Sequence, residues 1–364
     1  MRKKHFLFAS VLALLCGSST LHAQDFKLTS SGYFKNQGVD VMAFDDIYPE
    51  GHQGGVCIIM NGHRVATNGD IRLEATPGQW QPVPKQLDRK LGDNSITATL
   101  CYPDSSRHLT GFNPMIYPDL HLIYTVNVES KGKNIEVTVD LDRPIPQEFI
   151  GKVGFNLEFF PGSLFGKPWI MDGQSGIFPQ QPNSPLMTTQ PNYLHTGNYH
   201  DGKKSLADMN KLIGKGYSPI VADDIISEPY AKGTKFTSRP DDPYNKVTIE
   251  SLSGDLQLFD GRMNHNNGWF VLRSNIKPGV TKGAVKWIIT PNVVADWMYQ
   301  PVIQTSQIGY HPTQDKEAVI EMDIRDNRKE TAQIIRIDAD GEKVVKNVTP
   351  ANWGKFLRYN YLKV

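Results

Sequence analysis

Short runs of β-branched and aromatic residues, roughly four to eight long and bounded by turn residues, recur along most of the chain. A helix would need apolar residues every three or four positions over about 11 to 18 residues. Only residues 203–213, with Leu206, Met209, Leu212 and Ile213, fit that period, and a short helix is predicted there. Elsewhere the pattern is strand. Val56-Cys57-Ile58-Ile59-Met60 leads into Asn61-Gly62, a dipeptide suited to the positive φ angles of a tight hairpin. Residues 120–128 alternate, the chain turns at Lys131-Gly132-Lys133-Asn134, and alternation resumes over 135–139. Further strands are predicted at 97–102, 153–160, 246–251, 256–259, 268–274 and 284–290. Strands that follow one another without intervening helices build antiparallel sheets. The expected class is therefore all-β, a large antiparallel β-sandwich.

The chain has 364 residues, enough for about two domains and a core that needs no disulfide or metal. Lys and Arg number 39 against 38 Asp and Glu, a net charge of +1 that offers no field for a polyanion. Nucleic acid is therefore not an expected partner. Arg2, Lys3 and Lys4 precede an apolar stretch over 6–15, and Leu21-His22-Ala23 closes the segment. This is the pattern of a signal peptide, residues 1–23, cut after Ala23. It predicts export to the periplasm, cell surface or medium. The apolar stretch is too short to cross a bilayer about 30 Å thick, and no later run of about 18 apolar residues follows, so no membrane span is expected. Lipoprotein processing at Cys16 is disfavoured because Leu15, not a small residue, precedes it.

Cys57 and Cys101 lie in strand-like stretches, where either a disulfide or two buried thiols fits. No His spacing accompanies them, so no metal is implied, and no motif implies a cofactor. The chain lacks G-x-S-x-G, H-E-x-x-H and Walker patterns, and no catalytic residue is nominated. Asp45-Asp46, Asp223-Asp224 and Asp241-Asp242 supply paired carboxylates, but strand neighbours point to opposite faces, so adjacency does not make a glycosidase pair. Asp241-Asp242-Pro243 reads as a turn. Asp338-Ala339-Asp340-Gly341-Glu342 lacks the later ligands of a calcium loop and reads as a hairpin turn.

Residues 160–196, rich in proline and aromatics, show no period and are expected to form a long loop, either a lid or a wrapped segment. The densest polar cluster is Asp260-Gly261-Arg262-Met263-Asn264-His265-Asn266-Asn267-Gly268-Trp269-Phe270. Amides and imidazole hydrogen-bond sugar hydroxyls while an indole stacks on the ring. Trp169, Asp172, His265, Asn266, Asn267 and Trp269 are therefore the candidate carbohydrate-binding residues. The alternative for the cluster is an Asn/Gly-rich turn with Trp269 in the core. Trp80, in a Pro/Gln-rich segment, fits surface or core equally.

Thr305-Ser306-Gln307-Ile308-Gly309-Tyr310-His311-Pro312, followed by Lys316-Glu317-Ala318-Val319, resembles the opening of the immunoglobulin-like domain that precedes the catalytic barrel in glycoside hydrolase family 9. That family holds endoglucanases and related β-glucan-active enzymes. Ser306 stands where the pattern usually has Asn. Residues 41–55, 154–179 and 260–274 resemble the N-terminal extension of secreted family 9 enzymes of Bacteroidetes-type bacteria. The family's catalytic domain is a helical barrel with an Asp-Ala-Gly-Asp motif, and this sequence has neither. The resemblance implies an exported accessory region, inactive alone, whose catalytic domain is missing from this chain and whose ligand is a β-glucan or related polysaccharide. It divides the chain into a signal peptide (1–23), a large β-sandwich (24–300) and a partial immunoglobulin-like domain (301–364).

Those last 64 residues compare with about 100 for a complete seven-stranded sandwich. The partial module is expected to leave an apolar face and a strand edge uncovered, and to be protease-sensitive or dimer-forming. Two rival readings are a stand-alone carbohydrate-binding protein and a mutarotase-like sugar-active enzyme. The second would use His265 with Asp260 or Asp172.

Overall fold

The computed structural model describes residues 25–45, 54–74, 76–77, 84–102, 120–182, 186–188, 225–263 and 268–364. The signal-peptide segment, the helix expected at 203–213, Trp80, Asp46, Asp223-Asp224, His265, Asn266 and Asn267 lie outside those residues. Among the described residues the protein is all-β, and two nine-stranded antiparallel sheets form a sandwich.

The first sheet runs, in spatial order, Lys27–Leu28, Phe34–Asn36, Val39–Ala43, Val56–Met60, His63–Leu73, Val153–Phe159, Phe270–Asn275, Leu256–Asp260 and Ala231–Gly233. The second runs Gln174–Ile177, Pro168–Met171, Lys235–Ser238, Val247–Ser251, Val285–Pro291, Asn134–Leu141, Leu122–Lys131, Ser95–Tyr102 and Lys85–Leu91. The expected hairpins form where their turn residues stand. Asn61 (φ 51°) and Gly62 (φ 86°) join Val56–Met60 to His63–Leu73, and Lys131 pairs with Asn134 around Gly132 (φ 64°).

Alternation sets the core. In Leu122–Lys131 and Asn134–Leu141 every second residue is buried, so Tyr124, Val126, Val128, Ile135, Val137 and Val139 face the first sheet. Trp287 of the second sheet meets Phe155 of the first edge-on at 5.0 Å, and its Nε1–H donates to Ser274 at 3.0 Å. Phe159 meets Phe236 in the same manner at 5.8 Å.

The stretch expected as an unstructured loop is partly strand. Pro168–Met171 and Gln174–Ile177 pair as a hairpin, and Lys235–Ser238 zips onto the first of them. The hairpin has no alternation on both strands because only Trp169 and Met171 are buried, whereas Gln174–Ile177 is an exposed edge. Cys57 and Cys101 lie on different sheets and are not disulfide-bonded. The Cys57 Sγ lies 3.2 Å from the Gly54 carbonyl and 3.1 Å from Thr67 Oγ1.

Residues 301–364 form a second, smaller β unit. Its four-stranded sheet runs Val302–Gln304, Val319–Asp323, Tyr359–Lys363 and Ala351–Phe356, and Ala332–Asp338 pairs with Gly341–Val348 in a separate ribbon. The ribbon turns at Asp338 to Gly341 (φ 109°), the position read as a hairpin turn. Its core is small: Ile320, Met322 and Leu362, with Ala332 and Val364 against them.

Candidate functional site

The residues nominated from sequence occupy separate places. Trp169 is 7% exposed and packs flat on Gly176, where a Cβ would sit 2.4 Å from its ring. It is a core side chain. Asp172 sits at the tip of the same hairpin with φ 45°. Its carboxylate accepts the backbone N–H groups of Thr234 (2.6 Å) and Lys235 (2.9 Å), which hold its pKa below the usual carboxylate range. Trp269 is half-buried and meets Phe160 edge-on at 4.5 Å. Asp260 lies on the first sheet, Asp172 on the second, and neither carboxylate is idle. Arg262 grips Asp260 through Nε and Nη2, both at 2.8 Å, and lies over the Phe270 ring.

Two other arrangements bring chemistry-bearing groups together. The first is a buried polar network on His63–Leu73, Val153–Phe159 and Phe270–Asn275. Among the described residues, Val56–Met60 pairs with its neighbour only as far as Gly69, which leaves a gap in the described pairing beyond it. The Tyr102 hydroxyl fills part of that gap by accepting the Leu73 N–H at 3.2 Å. Tyr124 donates to Asp70 Oδ1 at 2.8 Å, and Arg72 lies 3.8 Å from Asp70 Oδ2.

Asn156 donates to Glu74 Oε1 at 2.6 Å, and Arg273 binds that same oxygen (3.3 Å), Asn156 Oδ1 (3.1 Å) and the Glu74 carbonyl (3.0 Å). Gly154 leaves room for the guanidinium, since a Cβ there would stand 2.8 Å from Arg273 Nε. Burial outweighs these partners and raises the Asp70 pKa to about 6 and that of Glu74 to about 7. Raised carboxylates are a mark of active sites, but Asp70, Glu74 and Asn156 are fully buried. The network ties strands together. Among the described residues no cluster of three or more His, Cys, Asp or Glu could hold a metal.

The second arrangement is open. A cleft of about 160 Å³ lies where the sandwich meets the smaller unit, lined by Lys35, Gln37, Asp40, Trp297, Tyr299, Arg358 and Tyr359 among others. Two hairpin tips form its floor. Gly38 (φ 66°) packs so closely that a Cβ would lie 2.7 Å from the Trp297 ring, and a Cβ on Gly62 would lie 3.1 Å from Tyr299. Bare backbone at both turns lets the linker aromatics seat on the sandwich.

Gln37 Nε2 donates to the Trp297 carbonyl at 2.6 Å, and Arg325 donates to the same oxygen. Across the cleft Arg358 Nη1 donates to Asp40 Oδ2 at 2.5 Å, its guanidinium 5.2 Å over the Tyr359 ring. Tyr299 lies 5.2 Å from Tyr359 and donates to Glu321 Oε1 at 2.9 Å; burial and that carboxylate push its pKa up to about 12. Sequence reasoning missed this cleft, because Asp40 and Arg358 stand 318 positions apart. One signal was available. Trp297 and Tyr299, two aromatics beside the Gln300-Pro301 boundary, are unusual in a solvated linker.

No protein-family model matches the sequence. No curated protein matches it either. Among solved structures the chain is similar to the Slr1438 protein of Synechocystis sp. PCC 6803 at 9% identity and TM-score 0.33, over 80% of this chain and 100% of that one. It is also similar to YeaD of Salmonella typhimurium, a candidate mutarotase, at 8% identity and TM-score 0.29, over 73% and 96% of the two chains. The heparan sulfate lyase HepC of Pedobacter heparinus follows at 10% identity and TM-score 0.25, over 90% of this chain and 42% of that one. Superpositions this loose assign neither a family nor an activity.

Proposed function

We propose that this chain is an exported, non-catalytic accessory region of a family 9 β-glucan hydrolase, in which the sandwich carries and orients the immunoglobulin-like unit. The observation that supports it is the physical role that Gly309 and Tyr310 of the Gly-Tyr-His-Pro motif, and Lys316 after it, take. Gly309 has φ 79°, a conformation that favours glycine. The Tyr310 hydroxyl accepts the Ser306 N–H at 3.2 Å and donates to the Glu317 carbonyl, pinning the turn to the approach of Val319–Asp323. Lys316 Nζ gathers the carbonyls of Pro312 (3.1 Å) and Gln314 (3.0 Å). The motif is thus a structural staple placed just after the linker that seats on Gly38 and Gly62.

The purified chain is expected to release no reducing sugar from carboxymethyl-cellulose or xyloglucan. Robust cleavage of either overturns the reading.

A further inference from the structure

We infer that the cleft between the sandwich and the smaller unit binds a single neutral pyranose ring of a glycan chain. The inference rests on the accessory reading above for the class of ligand, and on the cleft itself for the site. An enclosed cavity of about 150 Å³ holds a benzene ring, and this cleft offers about 160 Å³ and opens to solvent, so a ring can enter with its outer hydroxyls in water. Its walls combine three aromatic rings, Trp297, Tyr299 and Tyr359, all half-buried, with a small set of converging polar groups. A sugar needs that combination: its C–H face packs on an aromatic ring while its hydroxyls take directional hydrogen bonds.

The polar groups have capacity left. Asp40 gives one carboxylate oxygen to Arg358, and among the described residues no hydrogen bond reaches its Oδ1. Burial raises its pKa, while Arg358 and Lys35 oppose that rise. The half-buried Lys35 lines the same cleft and, among the described residues, makes no side-chain hydrogen bond or salt bridge. A hydroxyl can both donate to Asp40 and accept from Lys35, whereas a carboxylate can only accept. Asp40 with Arg358 and Asp323 with Arg325 are already paired, which leaves Lys35 as the remaining charge among the described lining residues. The site also lies at a junction between two folded units, where ligand clefts are common.

The test is titration of the full mature chain with cellotetraose, followed by calorimetry and by tryptophan fluorescence. Saturable binding at one site is expected. Trp297→Ala should weaken it at least tenfold. That change also loosens the linker, so Lys35→Ala serves as the second variant: it breaks no side-chain bond of the folded chain and should weaken binding about three- to tenfold. Trp353→Ala, which removes an exposed indole on the smaller unit, should leave binding unchanged.

Loss of binding on Trp353→Ala but not on Trp297→Ala or Lys35→Ala overturns the placement. Binding of an oligogalacturonate in place of cellotetraose overturns the neutral ligand. No binding of either, in a chain that also fails to hydrolyse glucan, overturns the cleft and leaves the accessory reading standing. Hydrolysis overturns the accessory reading instead.

Discussion

The sandwich and the unit at 301–364 are both antiparallel β, yet they place their apolar residues in opposite ways. In the sandwich the large side chains are inside: Trp287, Phe155, Phe159, Phe236 and Phe270 are fully buried between two sheets. In the smaller unit the buried apolar cluster is Ile320, Met322 and Leu362, while Ile334, Ile335, Ile337, Val344, Val345, Trp353 and Phe356 are exposed. Two facing sheets bury both inner surfaces. A four-stranded sheet with a separate ribbon buries part of one. The sandwich therefore holds itself together, and the smaller unit leans on the linker and, through Arg358, on Asp40 of the strand Val39–Ala43. An exposed apolar surface of this kind marks an interaction face or an aggregation hazard.

The sharpest way to break this comparison is to truncate one core residue in each unit. Trp287→Ala should cost about 3–5 kcal/mol, since the indole fills the space between sheets. Leu362→Ala should cost about 2 kcal/mol, because a thinly covered face relaxes. Equal losses in denaturant unfolding would remove the distinction.

The buried network gives the next effect. Arg273→Met leaves Glu74 buried without its counter-charge and should cost about 3–5 kcal/mol. The corresponding cut at the junction, Arg358→Met, should cost about 1 kcal/mol because that pair is partly solvated. The network also sets a pH dependence. Glu74, raised from 4.5 to about 7, and Asp70, raised from 3.8 to about 6, hold protons in the folded state that the unfolded state has released. Their contribution to stability is full below about pH 4 and is lost as pH rises to about 7. Glu74→Gln should flatten that slope in a pH series of thermal melts; an unchanged slope would assign it to other groups.

Gly38→Ala probes the joint. With φ 66° and no room beside Trp297, it should cost about 1–3 kcal/mol. It should also speed proteolytic cleavage around residues 292–301 while leaving the sandwich intact. Cleavage at the wild-type rate would show that the linker does not depend on this seat. At the smallest end, Lys282→Ala removes an exposed pair with Asp140 and should change stability by no more than about 0.5 kcal/mol.

Much of the fold was legible. Six runs read as strands from their β-branched and aromatic content lie within one or two residues of Ser95–Tyr102, Val153–Phe159, Val247–Ser251, Leu256–Asp260, Phe270–Asn275 and Val285–Pro291. The site was not legible, for two reasons. Trp169 and Asp172 have the right chemistry for a sugar, but local packing uses them: Gly176 takes the indole, and two backbone amides take the carboxylate. Lys35, Asp40 and Arg358 are unremarkable in their own segments, and with Trp297 they become a cleft only when the linker folds back onto two hairpin tips.

Sequence alone therefore determined the strand pattern of the described residues and the hairpin turns at Asn61-Gly62 and Asp338–Gly341, because alternation and φ preference act between near neighbours. Tertiary structure alone decided which polar residues are consumed, which remain available, and where an open cleft forms. Those outcomes depend on contacts such as Asp40 with Arg358, whose partners lie at opposite ends of the chain.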